Sequence, residues 1–127
     1  MVDLSTYMHV GKITEKIANI KSFKYPGEVY AAPGLIKHIQ KHKKEFSEAI
    51  SKDLLGTMKS ILNNPDYVGC DPSQKGTSLE LIKIIDDNIL IALKFDINDN
   101  YIFVASLYPV TKAKIDNRIY SNRIVKL

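Results

Sequence analysis

The segment from residue 79 to residue 108 constrains the fold most, because its apolar side chains recur at every second position. Leu79, Leu81 and Ile85 point one way, and the same alternation returns on both later runs of this segment. Such a period is typical of β-strands. Short polar turns at 86–88 and 97–100 separate the runs. The pattern therefore predicts a three-stranded antiparallel meander.

The rest of the chain has mainly helical periodicity. The predicted elements are helices over 14–20, from Pro33 through the following turns, over 45–63 and over 111–121, a brief strand over 28–32 and a loop over 65–78. Helices followed by a contiguous sheet predict an α+β fold. We expect the N-terminal helices to pack on one face of the C-terminal antiparallel sheet and to leave the other face partly open. Residues 1–127 are expected to form one domain.

Composition excludes several classes of protein. The single cysteine, Cys70, allows no internal disulfide and no multi-cysteine metal cluster. No stretch approaches the ~18 apolar residues of a membrane span, and the first residues lack the blocks of a signal peptide. Cys70 is a poor candidate nucleophile, because Asp71 beside it does not favour a thiolate. The sequence also contains no glycine-rich phosphate loop.

The net charge of +4 is unevenly distributed. Basic residues concentrate in two segments, 37–44 and 112–126. If folding brings these segments together, they form a patch suited to phosphate. The alternative is that most of these lysines simply form a solvated surface.

Two histidines in the predicted helix after Pro33 are the first candidates for chemistry. His38 and His42 are four residues apart, so both imidazoles can lie on one helix face. Neighbouring lysines, including Lys41, favour neutral imidazole and leave a histidine free to act as a base. A zinc protease helix is disfavoured, because Ile39 stands where a glutamate is needed and only His9 offers a third ligand. The alternative is a pair of surface histidines.

The open face of the predicted sheet offers polar candidates. Lys83 or Lys94, together with Ser106 and Tyr108, would stand there among apolar neighbours. A few polar side chains in an apolar setting are typical of binding clefts. The tyrosines at 67, 101 and 108 are candidates for stacking on a base, although a strand tyrosine is more often part of the core or its rim.

Four stretches, in this order, carry a resemblance to a known group. They are HVGKI at 9–13, APGLIKHIQKH at 32–42, ILNNPDYVG at 61–69 and, at the end of the third strand, ASLYP at 105–109. Their order resembles the phage-type branch of the barnase, EndoU, colicin and RelE-like ribonucleases, which occur in polyvalent phage proteins and polymorphic toxins. The resemblance covers most of the chain.

The resemblance implies a ribonuclease that cleaves RNA by 2′-hydroxyl attack, without metal or cofactor, to leave a 2′,3′-cyclic phosphate. His42 would be the acid or base with His38 beside it, and Lys83 or Lys94 would stabilise phosphate charge. The complete set implied is His42, His38, Lys83 and Ser106 for catalysis, and Lys94, Tyr108, Arg118 and Lys41 for substrate binding.

The expected partners are RNA, with tRNA as one candidate, and a cognate immunity or antitoxin protein, but no membrane. The expected site of action is the cytoplasm, reached as part of a larger secreted or phage-encoded protein. Two alternatives remain open. One is a catalytically silent module of the same fold that binds RNA or a protein, and the other is a structural domain of a phage particle with the histidines as bystanders.

Overall fold

A seven-stranded sheet forms the centre of the computed structural model, which describes residues 3–41 and 43–127. The strands are β1 (Met8–Ile13), β2 (Gly27–Ala31), β3 (Tyr67–Gly69), β4 (Ser78–Ile85), β5 (Asp87–Asp96), β6 (Tyr101–Pro109) and β7 (Ile124–Lys126). Their order is β1-β2-β6-β5-β4-β3-β7. All neighbours are antiparallel except β2 and β6. The predicted meander is confirmed as β4, β5 and β6.

Five α-helices accompany the sheet in the described part of the chain. They are α1 (Glu15–Ile20), α2 (Pro33–Lys41), α3 (Glu48–Lys52), α4 (Leu54–Asn63) and α5 (Lys112–Tyr120). The combination confirms the predicted α+β class. The final helix begins as expected, because the Thr111 hydroxyl accepts a hydrogen bond of 3.1 Å from the Lys114 amide. None of the helices described is long and apolar enough to cross a membrane.

Two predicted segments were wrong in detail. The helix over 45–63 is divided, because Asp53 leaves the helical conformation and its carboxylate caps α4 through the Gly56 amide at 2.9 Å. The loop over 65–78 contains β3, which pairs with β4 on one side and β7 on the other. Three residues are too few to show an alternating pattern, and the partner β7 lies at the far end of the sequence.

The two faces of the sheet are covered differently. The first face carries the main core, in which side chains of α1 to α4 pack on Leu81, Ile91 and Val104. On the second face, Ile115 of α5 packs in a smaller cluster with Ile82 and Leu90. This cluster lies towards the β4 side of the sheet. Beyond this cluster, the second face of β5, β6 and β2 carries half-buried polar and aromatic side chains, among them Lys94, Phe103 and Tyr30, as the sequence predicted for a partly open face.

Candidate active site

Ala92 lies on the second face, in the middle of the three-stranded meander. This residue lies opposite Glu80 of β4 on one side and opposite Ser106 of β6 on the other. Longer side chains surround its small methyl group. Lys94 continues the same face of β5, and Tyr108 continues that of β6. We call this surface, made of Glu80, Lys94, Ser106 and Tyr108 together with Arg118 and Arg123, the cationic face.

A buried carboxylate anchors two arginines at this face. Glu80 is only 5% exposed. Its two carboxylate oxygens accept hydrogen bonds from Nε and Nη2 of Arg123 at 3.0 and 2.9 Å. Nη1 of Arg118 lies 3.7 Å from Oε2 of the same carboxylate. Two guanidinium groups therefore share one negative charge, and the cluster keeps a net charge of +1.

The electrostatics of the cluster favour charged arginines. The hydrogen bond to Glu80 raises the pKa of Arg123, burial opposes this effect, and the charge of Glu80 adds to it. Nη1 of Arg118 is buried and has no hydrogen-bond partner among the residues that the structure describes. A buried N–H donor without a partner is costly.

Lys94 belongs to the same charged neighbourhood. The pKa of Asp71 is lowered first by hydrogen bonds from the Ser73 side chain and backbone and, to a smaller extent, by the charges of Arg123 and Lys94. Tyr108 likewise contributes to the electrostatic environment of Arg123. Asp71 therefore lies near both Arg123 and Lys94, and Tyr108 lies near Arg123. A cation of β5 and a cation of the C-terminal segment thus act on the same carboxylate.

The same β6 residues border a notch that contains a histidine. β2 pairs with β6 only at Ile102 and Phe103, so the outer edge of β6 continues beyond its partner strand. At this edge, His38 of α2 lines a cavity of about 290 Å³ together with Ser106 and Tyr108. The notch is completed by Leu35, Ile39, Glu45, Phe46, Ala105 and Leu107. Ser106 and Tyr108 are therefore common to the lining of the notch and to the cationic face.

The predicted site residues separate into three groups. The structure brings together His38, Ser106, Tyr108, Lys94 and Arg118 along the notch and the cationic face. It places Lys83 on the first face instead, where its Nζ donates a hydrogen bond of 2.7 Å to the Asn64 carbonyl oxygen at the end of α4. Lys41 is exposed at the last position of α2.

Two further residues of the predicted site, His42 and Arg118, differ in what the structure says of them. His42 lies outside the described residues, so its role stays a prediction. Arg118 is held against Glu80 and is 14% exposed, so its first contribution is to attach α5 to the sheet.

Sequence reasoning missed Glu80 and Arg123. Glu80 occupies a strand position whose neighbours on both sides are buried, and a carboxylate at such a position needs a cationic partner. That requirement was the available signal. The partner was not identifiable, because Arg123 lies 43 residues further along the chain.

Two other residues considered in the sequence lie in the interior. Cys70 is buried, and Tyr67 packs against the smaller core cluster.

A second, larger cleft lies between β1 and α4. It has a volume of about 710 Å³, and its lining includes His9, Lys12, Glu28 and Lys59. Nε2 of His9 is 3.6 Å from Oε2 of Glu28, and both side chains are about half exposed. This cleft is separate from the residues of the cationic face.

Comparison with known families gives the class of protein. A sequence model of the family described as phage-Barnase-EndoU-ColicinE5/D-RelE like nuclease3 matches residues 8–117. The match includes His38, Glu80, Lys94, Ser106 and Tyr108, whereas both arginines of the cationic face follow its end. Comparison with curated proteins and with solved structures finds no match. Because the family match covers well over half of the chain, this protein belongs to the phage-Barnase-EndoU-ColicinE5/D-RelE like nucleases.

Proposed function

We propose that this nuclease domain is a metal-independent endoribonuclease whose site is the cationic face together with the notch. The observation that carries the proposal is that Ser106 and Tyr108 border both surfaces, so that His38 and the cations are neighbours of the same two side chains. Cleavage of RNA without metal needs a base, an acid and positive charge around the phosphate. This part of the molecule offers all three.

The reaction assigns a task to each kind of group. A base removes the proton of the 2′-hydroxyl, the O2′–P bond forms, and the P–O5′ bond breaks as an acid protonates the leaving oxygen. The products are a 2′,3′-cyclic phosphate and a 5′-hydroxyl. Because the nucleophile is the 2′-hydroxyl, the substrate is RNA and not DNA.

The charges of the cationic face suit the transition state. Lys94 is half-buried on the second face, where it lies opposite Ser78 and Phe103. Glu80 fixes Arg123 through two of its donors and leaves Nη1 of that guanidinium for a phosphate oxygen. Cations that are fixed before the reaction stabilise developing charge without reorganisation. We assign phosphate stabilisation to Lys94 and Arg123.

His38 and His42 remain the proposed proton carriers. His38 lines the notch together with Ser106 and Tyr108, and we assign the hydroxyl groups of these two residues to positioning the RNA strand or relaying a proton. The exposed ammonium groups of Lys37 and Lys41 lie on the same helix and add positive charge that attracts a polyanion. His42 follows four residues later in the sequence and is proposed as the second carrier.

Cleavage of a labelled RNA in the presence of a chelator tests this function. The unaltered protein should produce 2′,3′-cyclic ends, and His38→Ala or His42→Ala should lower kcat/KM by about 10² or more, the size of an acid–base contribution. Lys52→Ala, which changes an exposed lysine paired with Glu48, should retain full activity. Cleavage that requires added Mg²⁺, or two fully active histidine variants, would overturn the proposal.

A silent binding module is the second candidate. The engagement of Arg118 and Arg123 with Glu80 favours it, because arginines held by a carboxylate can bind phosphate without any turnover. Salt-sensitive binding of RNA, with no cleavage product at any protein concentration, would support this candidate over the enzyme.

We further propose that the domain acts in the cytoplasm as a toxin or effector, delivered within a larger secreted or phage-encoded protein and restrained by a cognate immunity or antitoxin protein. Cellular RNA, including tRNA, would be its target. Expression in bacteria tests this role, since the unaltered chain should arrest growth and the His42→Ala chain should not. Normal growth with accumulated active protein would contradict it.

A further inference from the structure

Aromatic side chains form a strip on the second face beside the cationic face. Tyr30 of β2 lies opposite Phe103 of β6, and Phe103 lies opposite Lys94 of β5. The rings of Tyr101 and Phe103 are 5.8 Å apart, and the ring of His9 lies 5.6 Å from that of Tyr30. We call Tyr30, Tyr101 and Phe103, together with the flanking His9 and Tyr7, the aromatic strip.

The central rings of the strip do not belong to the hydrophobic core. Tyr30 and Phe103 are half-buried, and neither ring is part of the two core clusters in the described chain. By contrast, Phe95 of the same sheet packs towards the main core and stacks on Tyr25, with ring centroids 3.8 Å apart. An aromatic group left partly in water on an open sheet has apolar surface available for a flat ligand.

The position of the strip selects unpaired bases as that ligand. Base faces stack on aromatic side chains, and every base has such a face. In a duplex those faces are hidden by neighbouring base pairs, so an aromatic platform selects single strands. Neighbouring strands lie roughly 5 Å apart, which puts the ring of Phe103 directly beside Lys94 on the cationic face. A phosphate at Lys94 would therefore have its attached nucleoside next to this ring.

The charge of the strip suits a polyanion. Burial and a hydrogen bond with the Tyr7 hydroxyl raise the pKa of Tyr101 to about 12. Like any tyrosine, this phenol is neutral at physiological pH, so the strip places no negative charge beside a phosphate.

We propose that the aromatic strip binds the unpaired bases next to the phosphate held at the cationic face, so that the substrate is single-stranded RNA. The inference rests on the proposed function for the identity of the nucleic acid. It adds a binding site on β2 and β6 that is distinct from the groups proposed to carry protons.

Binding of 2′-O-methyl RNA to the full chain tests the inference, because this RNA lacks the nucleophile and is not cut. Fluorescence anisotropy should show at least tenfold tighter binding of a single strand than of the same sequence in a duplex. Phe103→Leu should weaken single-strand binding by about 5- to 150-fold, the range measured when one stacking ring is removed. The matched change on the opposite face, Phe95→Leu, should leave the affinity unchanged.

A second pair of variants guards against loss of folding. If Phe103→Leu loses its circular dichroism spectrum, Tyr30→Leu and Tyr30→Phe replace it, and only the variant that keeps a ring should bind normally. Equal affinity for single strand and duplex, or unchanged affinity in all folded variants, would overturn the inference and indicate that the strip faces a protein partner.

The outcome separates the two proposals. An enzyme that cleaves RNA regardless of Phe103 and of strand pairing would retain the proposed function and lose the aromatic strip. A chain that binds single strands through Phe103 but never cleaves them would support the aromatic strip and contradict the proposed enzymatic function.

Discussion

Replacing Glu80 with alanine is expected to lower the free energy of unfolding by about 3–5 kcal/mol, as is usual when one partner of a buried ion pair is removed. The carboxylate is buried, and it is the acceptor for Arg123 and the nearest negative charge to Arg118. Without it, two guanidinium groups remain at the interface between α5, β7 and the sheet. Urea denaturation followed by circular dichroism measures the change.

A carboxylate elsewhere on the sheet provides the matched control. Glu28 is about half exposed and pairs only with His9 at 3.6 Å. Glu28→Ala should therefore change the free energy of unfolding by no more than about 0.5 kcal/mol. If Glu80→Ala is as stable as Glu28→Ala, the arginines do not depend on Glu80 and the description of the cationic face is wrong.

Replacing Lys94 with alanine is expected to lower kcat/KM for RNA cleavage by about 10²–10³, the usual result of removing one group that stabilises transition-state charge. Lys94 stands on the second face, opposite Ser78 and Phe103. The measurement is cleavage of a fluorogenic RNA oligonucleotide in the presence of a chelator, with the fold of the variant checked by its unfolding midpoint.

Lys83 is the control for this experiment, since it is the same residue type on the first face of the adjacent strand. Its Nζ donates to the end of α4, so Lys83→Ala should cost up to about 1.5 kcal/mol of stability while activity stays within a few-fold of the unaltered protein. Equal loss of activity in the two variants would mean that the cationic face is not where the phosphate binds.

The local part of the fold was predictable from the sequence. Each strand of the meander carries its own alternation, and α2 carries its own apolar stripe after Pro33, so neither depends on distant residues. β3 and β7 were not predictable, because each has only three residues and is stabilised by pairing with the other across the chain. The break at Asp53 was missed because an aspartate suits both a helix surface and an N-cap.

The candidate site was likewise predictable only where it depends on local pattern. Period-two alternation placed Ser106 and Tyr108 on one face of β6, and the pairing of β5 with β6 puts Lys94 on the same face of the sheet. Alternation alone left Lys83 and Lys94 as equal candidates for the open face. The pairing of β4 with β5 places the two lysines on opposite faces of the sheet. An irregularity in the register between Ala92 and Leu93 lets Phe103 and Ser106 share one face although they are three residues apart. No local pattern reveals this.

The most direct test of the central claim uses one RNA oligonucleotide and the same oligonucleotide with a single 2′-deoxy nucleotide at the mapped cleavage position, both incubated with the protein and a chelator. If a base and the cations act on one phosphate through the 2′-hydroxyl, the first is cut to a 2′,3′-cyclic end and the second stays intact at that bond. Cleavage of both at the same rate would contradict the account.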